Sequence, residues 1–327
     1  KEFMNTGNIK HNIMKNKIIV IVPVFCESHL IKYQISNIID TIDPDIIIYN
    51  EGMFPRGPES NTNVDNNFIK KYTLDGIRGF DFIELEKIIK KAQEQYPNKK
   101  IILNKMDYSG LSGAPECYYK ACSNFEELGI KIEKGDYIFP LEGDVFHHED
   151  SKDEIKEYLS QLAPNTGFKT TWIDFLETPN YCERSTLKPL KLFSDPWAQD
   201  CEGRHRKVCI RYGTPEFYKD VISNFMTQNY LMLYPTDLIT YHYAWWRPSK
   251  FKELRYTQLN RLKEYWENFE RGMQQIIHSK QSQISSNGKD IVIRPDRPDG
   301  QTHRWASFID ISHPKHVKQH PNFTLNK

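Results

Sequence analysis

The sequence predicts an α/β fold, a central sheet flanked by crossover helices. Three observations carry this. Short, continuous apolar runs recur in the first half, as in strands buried on both faces. Stretches with helical spacing of apolar residues alternate with them. The runs end at polar turns that hold Glu51, Glu142 and Asp144, and the carboxyl ends of strands are where open α/β sheets bind ligands.

The first strand is KIIVIVPVF, residues 17–25. A helix follows, with Ser28 as its cap and Ile31, Ile35, Ile38 and Ile39 as its apolar stripe, until the DPD at 43–45 ends it. DIIIYNEG, residues 45–52, is the second strand, and the proline-, glycine- and asparagine-rich stretch 53–80 reads as a long loop. Ile83, Ile88, Ile89 and Ala92 mark a helix running to Pro97, before the third strand, KIILNKM, at 100–106. Pro115 near the start and Gly129 past the end bracket a helix over 114–128. DYIFPLE, 136–142, is the fourth strand, and Ser151 with Glu154 forms a capping box that opens the next helix.

Composition narrows the function classes. A chain of 327 residues, 39% hydrophobic and 13% aromatic, can bury one large core or two modest ones. Its 44 Lys and Arg nearly balance 43 Asp and Glu, so no whole-chain field favours nucleic acid or an anionic membrane. The apolar run at 18–25 is far short of the ~20 residues of a membrane span. No secretory signal precedes the first strand, and the six scattered cysteines form no CxxC pair, so a reducing, cytoplasmic setting is expected. Residues 1–16 read as tag-derived sequence and an N-terminal tail.

The stretch YIFPLEGDVF, residues 137–146, poses the central question, because an apolar strand runs straight into two carboxylates. On an extended chain Glu142 and Asp144 share a face only if the backbone bends, and Gly143 is expected to allow that bend toward one cation. Hard oxygen donors of this kind suit Mg2+ or Mn2+ held jointly with substrate phosphates. The competing reading is a solvated turn.

In order and spacing, VPVFCE (22–27), IIIYNEG (46–52) and the run from Tyr108 to Asp144 ending in GDYIFPLEGD resemble the GT-A-fold nucleotide-sugar glycosyltransferases, most closely the family-2 type. Glu142 replaces the first aspartate of that family's DxD motif. The resemblance covers residues 17–246 and implies a Rossmann-like mixed sheet, with 247–327 as a helical C-terminal extension and tail. It implies a donor of UDP or GDP type, a carbohydrate or glycan acceptor, and a Mn2+ or Mg2+ cofactor held by Glu142, Asp144 and His242. Pro23, Val24, Glu27 and Glu51 would line the base and ribose pocket, with Lys105, Asp107 and Gly143 close to the nucleotide.

By the same resemblance GTPEFYKD, opening at Gly213, places a general base at Glu216, with Asp200 as second choice, and transfer would invert the sugar. Read without it, Glu216 equally fits a helix-dipole partner and His242 a core histidine. Trp245 and Trp246 fit either a sugar platform or the core. Two other classes stay open. A nucleotidyltransferase acting on a sugar phosphate uses a similar sheet but opens with a glycine-rich loop, which VPVFCESHL lacks; a non-catalytic carbohydrate-binding module would leave Glu142, Gly143 and Asp144 without a task. Beyond 246, residues 249–273 have the stripe of an amphipathic helix and IVIRPDRPDG that of a short edge strand. The tail with His303, His313, His316 and His320 is expected to be solvated or to face the acceptor.

Overall fold

The computed structural model describes residues 16–52, 76–105, 124–175, 179–183, 205–212, 233–243, 246, 291–293 and 304–324. Its elements are β1 (Ile18–Val24), α1 (Ser28–Thr41), β2 (Ile46–Glu51), α2 (Ile77–Gln95), β3 (Lys100–Lys105), β4 (Tyr137–Pro140) and β5 (Val145–His147). They continue as α3 (Lys152–Gln161), β6 (Gly167–Asp174), β7 (Tyr181–Glu183), β8 (His205–Arg211), β9 (Leu233–His242), β10 (Ile291–Ile293), β11 (Arg304–Phe308) and α4 (Pro321–Thr324).

The α/β class is as the sequence predicts, with a mixed main sheet ordered β3-β2-β1-β4-β8-β6-β9-β5. β1 runs parallel to both β2 and β4, and β2 to β3. β1 is covered on both faces, its residues from Ile19 to Val24 all buried, which is why its sequence is continuously apolar. Two acids pin its amino end: Asp136 accepts from the Lys17 amide (2.8 Å) and Asp45 from the Ile18 amide (2.9 Å). The antiparallel pairs β4–β8 and β8–β6 turn the chain over twice, so β6 and its parallel neighbour β9 end at the same edge as β1, β2 and β4. A second, three-stranded sheet, β10-β11-β7, forms beside it.

Helix boundaries obey tertiary partners more than local caps. Ser28 does not cap α1; its hydroxyl donates to Asp81 on α2 (2.6 Å), and its amide reaches the same carboxylate (3.4 Å). The Ser151–Glu154 capping box does not form either, because a 3-10 turn at Glu149–Ser151 precedes α3 and Ser151 makes no side-chain cap bond. α2 begins at Ile77, inside the stretch expected to be loop, and Ile83 is 51% exposed while Leu85, Ile89 and Ala92 face the core. Gly129 does close its segment: at φ 64° its amide donates to Glu126 O, and the Ile130 amide donates to Phe125 O, the paired bonds of a Schellman motif. Of the helix expected over 114–128, residues 124–128 are described and form turns, while 114–123 and the helix expected at 249–273 lie outside the described residues.

The described part of the tail is only partly solvated: Lys315, Lys318 and Gln319 are exposed, but His313, Val317 and His320 are buried, and His303 lies outside the described residues. Residues 315–320 lie against α1, whose Leu30 joins Phe146, Phe175, Tyr243, Trp246 and Val317 in one cluster. Asp40 receives both Lys315 Nζ (2.6 Å) and His316 Nε2 (2.8 Å). His313 is buried; its Nε2 donates to Pro179 O (2.8 Å), which leaves Nδ1 to accept from the Tyr243 hydroxyl (2.7 Å). Trp246 is 1% exposed, which settles its reading as core.

Burial pushes His147, His313 and His320 down to about 4. Each therefore stays neutral in the fold but charges in the unfolded chain below its ordinary value. Their contribution is intact above pH ~6.5 and is lost as pH falls toward ~4, by up to about 1.4 kcal/mol per pH unit for each histidine. The melting temperature recorded across that window should fall steeply, and His313→Asn should flatten the slope by about one proton; a level profile contradicts neutral burial.

Candidate metal centre

The site is built where strand ends meet. β4 delivers Leu141 into a tight turn in which the Val145 amide donates to Glu142 O (3.1 Å), and β5 then departs antiparallel to β9. That pairing sets Val145 opposite His242, the last residue of β9, while parallel β6 sets Asp174 opposite the same histidine. The Tyr243 amide donates to Asp144 O (2.9 Å) and the Phe175 amide to His242 O (2.8 Å), so Asp144 in the turn before β5, Asp174 of β6 and His242 of β9 are locked side by side.

Glu142, Asp144 and His242 each offer one ligand atom, and these atoms lie within 4.8 Å of one another. His242 Nε2 sits 3.2 Å from Asp144 Oδ1 and 3.9 Å from Glu142 Oε2, and among the described residues it makes no hydrogen bond. Asp144 and His242 are buried; Glu142 is half-buried and opens the centre to solvent. Two carboxylates and an imidazole nitrogen turned toward one point make a donor set that fits a divalent cation. Burial opposes a charge on His242, but the Asp144 and Asp174 carboxylates outweigh it and raise its pKa.

The acidic turn is held from behind by α1. Gln34 Nε2 donates to Glu142 O (2.5 Å) and Val145 O (3.0 Å), and Asn37 exchanges two bonds with the backbone of His147 (2.7 and 3.0 Å). Both amides are buried, which explains why a helix facing the sheet carries polar residues on that side.

Gly143 acts through its size. Its φ is not positive; a Cβ there would fall 2.3 Å from Glu27 Oε2 and 3.2 Å from Ile31 Cδ1. The expected bend is present, closed by the Val145 amide on Glu142 O, and the close approach is a second reason for glycine here, with the buried Glu27 packed on it between the two acids. Glu27 lies in the strand-to-helix turn after β1, where Cys26 adopts φ 56°, the left-handed region that strains a residue with a Cβ.

The other predicted residues divide. Pro23 and Val24 are buried in β1. Glu51 is buried at the end of β2, and Arg78 of α2 donates to both its oxygens at 2.8 Å, a paired guanidinium that the sequence reading missed. Lys105 is exposed and lies over the Phe82 ring at 5.2 Å. Asp107, Asp200 and Glu216 lie outside the described residues. Asp174 and Trp172 were also missed; the only signal was a polar residue closing the strand GFKTTWID.

No family model matches the chain, and no curated protein does. Among solved structures it is similar to a 4-diphosphocytidyl-2C-methyl-D-erythritol synthase, at 11% identity and a TM-score of 0.36, over 76% of this chain and 99% of that one. It is similar to a mannosyltransferase from Pyrobaculum calidifontis in complex with GDP-Man and Mn2+, at 12% identity and 0.39, over 74% of this chain and 61% of that one. A third is S. aureus TarS, at 10% and 0.31, over 81% and 44%. Likeness at these TM-scores carries no functional weight.

Two outcomes follow from the geometry. Gly143→Ala should displace the Glu27 carboxylate and cost about 1–3 kcal/mol of stability, the usual range for overpacking, with weaker Mn2+ binding in a calorimetric titration. A metal needs the neutral imidazole, so Mn2+ affinity should rise as pH increases through the raised pKa of His242; titrations at acid and alkaline pH with equal affinity would show that His242 is not a ligand.

Proposed function

We propose that this chain is a metal-dependent glycosyltransferase that moves a sugar, with inversion, from a UDP- or GDP-type donor to a hydroxyl of a carbohydrate or glycan acceptor. The observation that supports it best is the convergence of Glu142, Asp144 and His242 at the carboxyl edge of β1 and β4, beside the buried Glu27. Glu142, Asp144 and His242 would hold Mn2+ or Mg2+, which when bound neutralises charge on a diphosphate leaving group. Pro23, Val24, Glu27 and Glu51 would form the floor of the nucleotide pocket, and Arg78 would hold Glu51 in place within it. Lys105 and Asp107 would lie near the ribose or the phosphates. The acceptor proton would pass to the carboxylate of Glu216, or of Asp200.

The catalytic unit proposed is residues 17–246, with 247–327 as an appended segment whose tail braces α1. Among the described residues no helix is long and apolar enough to cross a membrane.

Product analysis tests the reading. Incubation with UDP- and GDP-sugars, Mn2+ and glycan acceptors should release nucleoside diphosphate together with a glycosylated acceptor; pyrophosphate exchange with a sugar phosphate and a nucleoside triphosphate would instead mark a nucleotidyltransferase. Asp144→Asn should abolish transfer in a folded protein. Glu216→Gln should bind donor normally while transfer falls by roughly 10²–10⁴-fold, the usual contribution of a positioned base; normal transfer with a slightly lowered melting temperature would move the base to Asp200.

A further inference from the structure

We propose that Asp174, itself held by Trp172, is a positioning residue that fixes His242 as the Nδ1–H tautomer, so that the centre selects Mn2+ over Mg2+. This inference rests on the metal-binding reading above and deepens it. The indole Nε1–H of Trp172 and the Nδ1–H of His242 both donate to Asp174 Oδ1. Indole nitrogen can only donate, so the carboxylate must be the acceptor, and its orientation is set before the histidine is considered. Trp172 and Asp174 stand two residues apart on β6 and so share a face, and Asp174 pairs directly with His242 in the parallel register of β6 and β9.

The ring cannot turn over without cost. Its centroid lies 4.1 Å from that of Trp172, all three side chains are buried, and the backbone of His242 is bonded to Phe175. With Nδ1 committed to Asp174, the remaining nitrogen is Nε2, which faces Asp144 Oδ1 at 3.2 Å and Glu142 Oε2 at 3.9 Å. A carboxylate behind an imidazole makes it a more basic ligand and fixes its direction. Imidazole nitrogen suits transition metals, whereas Mg2+ prefers oxygen and water, so the ring Asp174 aims is the element that discriminates. A purely structural His–Asp pair would stabilise the sheet edge without affecting which ion binds.

The test uses the purified full chain without donor or acceptor. Free Mn2+ is followed by electron paramagnetic resonance, Mg2+ by competition, and the histidine tautomer by long-range 1H–15N NMR in alkaline, metal-free buffer. Wild type should bind Mn2+ more tightly than Mg2+ and show Nδ1–H at His242. Asp174→Asn should weaken Mn2+ by roughly 10–100-fold, the usual cost of losing such a partner, with Mg2+ little changed. Trp172→Phe keeps the aromatic ring and removes only the N–H; it should shift Mn2+ affinity the same way, more mildly, and it carries the test if Asp174→Asn does not fold. Wild-type Mn2+ affinity in both variants, an Nε2–H tautomer in wild type, or equal losses for both ions overturns the proposal. If Glu142→Gln with Asp144→Asn leaves Mn2+ binding intact, or wild type binds none, the metal centre itself fails and this inference with it. If that pair abolishes binding while Asp174→Asn and Trp172→Phe do not affect it, only the role of Asp174 is lost.

Discussion

The register of β9 between β5 and β6 is the constraint on which the rest of the carboxyl edge depends. It sets Val145 and Asp174 on either side of His242. A slip of one residue on β9 would turn His242 to the opposite face and separate it from both carboxylates. Several buried bonds resist that slip. The hydroxyls of Thr170 and Thr240 meet at 2.5 Å between β6 and β9, and the amides of Phe175 and Tyr243 bond across the strand ends. Each would leave a buried polar group without its partner if the strands moved, at about 1–3 kcal/mol apiece.

Behind this edge α1 serves as a polar brace as much as an apolar one. Ile31, Ile35, Ile38 and Ile39 pack into the main core, while Gln34 and Asn37 hold the backbone from Glu142 to His147. The acidic turn is thereby fixed through its backbone, and the two carboxylates turn toward His242. Glu27 completes the arrangement by occupying the space a side chain at 143 would need. A turn so braced can hold two acids close together without collapsing, which is the preorganisation that a cation site requires.

The tail adds a second layer to the same helix. Asp40 on the outer side of α1 holds Lys315 and His316, and His313 reaches Tyr243, the residue directly after His242. The stacked rings of Phe175 and Tyr243 link this tail to the ends of both β6 and β9. Neutral, buried histidines thus support the site from a distance, and their burial ties the integrity of the edge to pH in the acid range.

The sequence by itself determined the class of fold, the parallel strands β1 to β4 and the acidic turn at 142–144. These are local matters, set by continuous apolar runs and by polar residues where the runs stop. It could not show that Asp174 backs His242, that Arg78 pairs with Glu51, or that Asp81 replaces the expected helix cap of Ser28. Each of those joins residues at least 27 positions apart, and no spacing in the chain announces it. The role of Gly143 was read only in part for the same reason: a glycine's freedom to bend is a property of its own backbone, but its lack of a side chain matters only once Glu27 arrives from the turn after β1. The solvated reading of the tail missed the burial of His313, Val317 and His320, because polar composition suggests water, whereas burial is decided by partners such as Asp40, Tyr243 and Pro179, which only the tertiary structure brings together.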